Sequence, residues 1–137
     1  MSAASDMTDL LNTFYSSIST GDASVIAGSL APDALVIGTD EAEWWQGKDD
    51  VLRVMQAQVG EMHDAGIRFT GGEPHVVDSG DVVWAADRPT LHLGDGTSLP
   101  LRLTAVATRD GDALLIRQMH LSGGAPNEEI VQQELTL

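Results

Sequence analysis

The chain has 137 residues, which fits one domain able to bury roughly two-thirds of its unfolded surface. Hydrophobic residues make up 42%, enough for a core, and the absence of cysteine excludes disulfides, thiol chemistry and cysteine-held metal. The net charge of −14, from 21 acids against 7 bases, repels nucleic-acid phosphates and anionic lipid, so neither nucleic acid nor membrane is an expected partner.

Leu10, Leu11, Phe14, Tyr15 and Ile18 recur at spacings of three and four, which predicts an amphipathic helix over Asp6 to Thr20. Ser5 or Asp6 is the expected cap at its start and Gly21 its stop. Asp22 then opens a second short helix through Val25, Ile26 and Leu30, which Pro32 should end. Ala34 to Gly38 reads as a strand. The acidic, aromatic stretch Glu41 to Gly47 reads as a loop or short strand, leading into a third helix from Lys48 to His63 with Val51, Leu52, Met55, Val59 and Met62 on its apolar side. Asp49 and Asp50 suit the first turn of that helix.

Turn signals punctuate the second half at Gly71-Gly72, Ser79-Gly80-Asp81, Gly94-Asp95-Gly96 and Asp110-Gly111. The runs between them are β-like: Ile67 to Thr70, Pro74 to Asp78, Val82 to Leu93, Ser98 to Thr108 and Ala113 to Leu121. The Asp-Gly pairs predict hairpins. Helices followed by an antiparallel meander imply an α+β domain with the helices packed on one face of the sheet. Residues 125–137 read as a C-terminal tail behind a domain at 1–124. With no membrane-length apolar run and no basic-then-apolar leader, a cytoplasmic location is the expectation.

Three segments together resemble the SnoaL-like branch of the nuclear-transport-factor-two-like superfamily. They are Thr20-Gly21-Asp22 with Leu30 to Ile37, the phrase Gly38 to Asp49 containing Glu43-Trp44-Trp45-Gln46-Gly47, and the closing Ile116 to Ser122 with its His-x-Ser step. The resemblance implies a cystatin-like cone: N-terminal helices in the concave face of a curved antiparallel sheet, with a pocket for a small, mostly apolar molecule. It also implies a homodimer through the convex sheet face. The superfamily includes ketosteroid isomerase, scytalone dehydratase, limonene epoxide hydrolase and polyketide cyclases, and also binding domains without catalysis, so the fold leaves function open.

Several residues carry chemistry. Asp87 sits mid-run among alanine and valine, where burial would suit a general base or acid; the competing reading is a rim aspartate paired with Arg88 or Arg102. His120 could shuttle protons and, in strict alternation, shares a face with Leu114, Ile116, Gln118 and Ser122. Tyr15 lies on the first helix's core stripe, where its hydroxyl needs a partner or could steady an oxyanion. Arg102 would supply electrostatic support, and Trp44 and Trp45 would wall the pocket; Glu43 beside them is either an acid or a solvated loop residue. His63, His75 and His92 lack metal-ligand spacing, and the Gly-Gly pairs lack the context of a phosphate loop, so no metal or other cofactor is expected. Two functions therefore stand side by side. One is a binding domain whose pocket holds a ligand or is filled by Met55, Met62 and Met119. The other is a cofactor-independent acid–base enzyme of isomerase, dehydratase, cyclase or epoxide hydrolase type, with Asp87 and His120 catalytic.

Overall fold

A computed structural model describes residues 2–137. Helix α1 spans Ala3–Thr20 and begins earlier than its apolar stripe, because Ser2 takes the cap: its Oγ accepts the Ser5 N–H at 3.1 Å. It ends at Gly21, whose φ of 76° suits glycine and where a Cβ would also lie 2.8 Å from that of His63. The expected second helix is a 3-10 segment, Ala23–Ser29, capped by Asp22; Leu30 does not belong to it but opens strand β1 (Leu30–Ile37). Seven residues with two β-branched side chains and a glycine are too short and poor a run for an α-helix. Pro32, expected to stop a helix, lies inside β1, at the irregularity between Leu30 and Leu35 where the ladder is interrupted and no N–H is needed.

Strand β2 (Trp44–Gln46) and helix α2 (Lys48–Asp64) follow. The remaining strands are β3 (Arg68–Thr70), β4 (His75–Asp78), β5 (Val82–Asp87), β6 (Thr90–His92), β7 (Ser98–Asp110) and β8 (Ala113–Gly123). The long Val82 to Leu93 run is thus two strands, divided at Arg88-Pro89, where proline cannot donate to a ladder. A single-turn helix, α3 (Asn127–Ile130), lies in the tail.

The curved sheet runs β2-β1-β8-β7-β5-β4, and β6 joins β7 and carries β3. Both predicted hairpins form, β6–β7 and β7–β8. β1 departs from the meander: it lies parallel to β8, while the other pairs are antiparallel. The concave face holds Val83, Ala85, Leu103, Ala105, Ala107 and Met119, all essentially buried against α1 and α2. From the helices, Met7, Leu11, Val51 and Val59 fill the same core.

On the convex face the register aligns two rows across the sheet. One runs Val77, Trp84, Val106, Gln118, Leu35 and Gln46; the next runs His75, Ala86, Thr104, His120, Ile37 and Trp44. These rows are partly open to solvent, with Trp84 39% and Trp44 58% exposed. Alternation along β8 is broken once. Ala107 pairs Ile116 and Val106 pairs Gln118, so Arg117 is an unpaired bulge residue. Beyond it the faces exchange: Leu114 and Ile116 point inward before the bulge, Met119 and Leu121 after it.

Candidate ligand cavity

Between the helices and the concave face lies a cavity of about 320 Å³. Phe14 and Ile18 of α1 and Met55, Val59 and Met62 of α2 form one side. Val36, Leu101, Met119 and Leu121 form the sheet side, with Trp45 and Phe69 at its margins. Ser19 positions Phe69: its hydroxyl accepts the Phe69 N–H at 3.0 Å and donates to the Phe69 carbonyl at 3.2 Å, joining the end of α1 to β3. Of the two alternatives, a pocket left open or one filled by Met55, Met62 and Met119, the structure has the first: the three methionines line the cavity.

The polar lining comes from the β1–β2 connection and from α2. Glu43, half-buried, accepts the Asp40 N–H through Oε1 at 2.9 Å and the Gln58 side-chain amide through Oε2 at 3.0 Å. Its backbone closes a turn with Gly38, whose N–H donates to the Glu43 carbonyl at 2.9 Å. Gly38 is required there, because a Cβ would come within 2.8 Å of the Glu43 side chain. Thr39 and Glu61 complete the polar margin. Lysine, arginine and histidine are absent from the lining among the described residues.

The expected site residues separate into three places. Trp45 lines the cavity. Asp87 and Tyr15 are buried together on the concave side but are not part of its lining. Tyr15 Oη donates to Asp87 Oδ2 at 2.6 Å; Gly72 N–H donates to the same oxygen at 3.2 Å and Arg88 N–H to Oδ1 at 2.8 Å. The carboxylate therefore meets three donors, two of them backbone, and neither arginine side chain pairs with it. Burial first, then the hydrogen bond to Asp87 and its charge, raise the Tyr15 pKa far above the usual phenol value. Phe14 and Phe69, which line the cavity, pack on the Tyr15 ring with centroids 5.8 and 6.0 Å away, so the pair sits behind the cavity wall.

His120, Arg102 and Trp44 are all exposed on the convex face, so the expected shared lining of Asp87, Arg102 and His120 does not form. The bulge at Arg117 is the reason for His120: strict alternation with Leu114 and Ile116 would have turned it inward. Arg102 opposes its inward neighbours Leu101 and Leu103 in β7. Trp44 and Trp45 are adjacent in β2, so only one of them can face inward. Sequence reasoning missed Gln58, which looks like any polar residue of α2, and Phe14 and Phe69, whose apolar character spoke only for a core. Among the described residues, no group of three or more histidines and carboxylates is arranged to hold a metal ion. No described helix is long and apolar enough to cross a membrane.

The sequence model of the SnoaL-like domain matches residues 7–127. No curated protein matches the sequence. Among solved structures, an NTF2-like protein of unknown function from Pseudomonas putida KT2440 superposes with a TM-score of 0.79 at 22% identity, covering 98% of this chain and 96% of that one. A proposed dehydratase of the NTF2-like family from Streptomyces avermitilis gives 0.75 at 18% identity, over 89% and 96% of the two chains. A proposed ketosteroid isomerase from Shewanella frigidimarina gives 0.70 at 16%, over 88% and 95%. At these identities the likeness is one of fold.

Proposed function

The chain belongs to the SnoaL-like domain family, and we propose that it binds a small, mostly apolar molecule in the cavity between α1, α2 and the concave sheet. The observation that carries this reading is an open volume of about 320 Å³ walled by aromatic, aliphatic and methionine side chains. Ligand pockets span about 300–1,000 Å³ and are mainly apolar with a few placed polar groups, and the Glu43–Gln58 pair is such a group. Prodan, a neutral naphthalene dye, is the probe for the test: one-site saturable binding by calorimetry is expected. Trp45→Ala should weaken it about tenfold or more, since burying an aromatic surface is worth roughly 1.5–3 kcal/mol. No saturable binding, or an unchanged Kd in Trp45→Ala, refutes the reading.

A second reading is turnover of such a molecule by acid–base chemistry without a cofactor. It is favoured by Glu43, a carboxylate within reach of the cavity's contents, as a general base must be. Asp87 and Tyr15, outside the lining, take no part in this reading. Glu43→Gln should then keep binding and lose turnover.

The convex face supports a further proposal, association of two copies of the chain. Its two rows set the exposed Trp84 and Trp44 beside Val77, Val106 and Leu35 and contain no carboxylate, lysine or arginine, which suits an interface.

A further inference from the structure

We infer that the cavity selects apolar molecules carrying a positively charged amine, with the Glu43 carboxylate as the counter-charge; this rests on the reading of the cavity as a ligand site. The only charged side chains in the lining are Glu43 and Glu61, and no basic side chain among the described residues offsets them there. An anionic ligand would enter a cavity already negative within a chain of net charge −14, and its carboxylate would find no cationic partner. An ammonium group meets the opposite conditions. Glu43 accepts two hydrogen bonds, from Asp40 N–H and the Gln58 amide, which hold its carboxylate in place. A carboxylate offers about four lone-pair sites, so acceptor capacity remains for an N–H donor from the ligand. Trp45, two residues after Glu43, is an aromatic residue of the same lining, and aromatic faces attract cations. The Glu43–Gln58 bond also bridges the β1–β2 connection and α2, so the charge is presented by two elements at once rather than by a free loop.

Three probes sharing one compact cage test this: 1-adamantanemethylamine, 1-adamantanemethanol and 1-adamantanecarboxylate, each measured by calorimetry on the intact chain. The amine should bind about tenfold or more tighter than the alcohol, the scale of one hydrogen bond to a charged group, and the carboxylate weaker than the alcohol. Glu43→Gln, which keeps an acceptor for Asp40 N–H, should collapse the preference for the amine over the alcohol by about tenfold. Glu128→Gln in α3 removes the same charge from the tail and should leave the preference intact. Raising salt from about 0.15 M to 1 M shortens the screening length from about 8 to 3 Å, and a preference set by direct contact should persist. Binding of the alcohol without an amine preference, a preference lost in salt, or an equal response to Glu128→Gln overturns the amine assignment alone. Failure of all three probes to bind overturns the cavity reading as well.

Discussion

Tyr15 is the only tyrosine in the chain, so its ionisation can be read without ambiguity. Its hydroxyl is buried and donates to Asp87 at 2.6 Å, and both burial and the adjacent carboxylate oppose phenolate formation. In the unfolded chain the same phenol ionises near pH 10. The folded pKa is raised above the unfolded one, so the stabilisation is fully present below about pH 10 and declines as pH climbs from there toward the folded value. Over that range the unfolded state releases a proton that the native state keeps, and stability should fall by about 1.4 kcal/mol for each pH unit. Few other groups contribute there, since Lys48 is the sole lysine and the arginines stay charged. Urea unfolding at a series of pH values between neutral and alkaline measures the slope. Phenolate absorbance, followed in parallel, should appear only as the protein unfolds. Tyr15→Phe should remove this component of the slope. At neutral pH the same variant should lose roughly 1.5–3 kcal/mol, the scale of a hydrogen bond to a charged, buried acceptor. Phenolate forming in the folded protein with a midpoint near 10, or equal alkaline slopes in the two proteins, would refute the enclosed Tyr15–Asp87 pair.

Gly72→Ala places a Cβ 2.7 Å from Asp87 Oδ1 and 2.9 Å from the Arg88 carbonyl oxygen, so urea unfolding should show a loss of about 1–3 kcal/mol. Asp87→Asn puts an NH₂ group against one of three donors that need an acceptor, and thermal unfolding should record a loss of about 1–3 kcal/mol. Arg117→Ala removes an exposed contact to Asp33 at 2.6 Å, and its cost should stay below about 1 kcal/mol in the same assay. Trp84→Arg on the convex face should shift sedimentation velocity toward monomer; an unchanged sedimentation coefficient counts against association through that face.

The helices α1 and α2 and strands β7 and β8 were legible in the chain because each carries an apolar period or a flanking Asp-Gly turn that acts locally. The stripe Leu10, Leu11, Phe14, Tyr15, Ile18 is buried as its spacing demands, and Gly21 adopts the left-handed conformation that ends α1. The same logic misread the Asp22 to Leu30 segment, because Leu30 is claimed by a ladder with Ile116, a partner far away in the chain.

The site was less legible, for a similar reason. Parity put Asp87 on one face with Val83 and Ala85 but could not say which face turns inward; the structure buries all three. Parity also put His120 with Leu114, and one bulge residue, Arg117, reversed that. A bulge adds no residue type of its own to the sequence; it depends on how two strands with unequal residue counts must pair. Composition and periodicity thus determined the α+β class, the apolar inner face and the acidic surface, since these follow from each residue and its near neighbours. Which carboxylate is sealed against Tyr15 and which faces an open cavity was decided only by the tertiary structure, because that depends on contacts such as Glu43 to Gln58 and Tyr15 to Asp87 between segments whose separation in sequence carries no local signal.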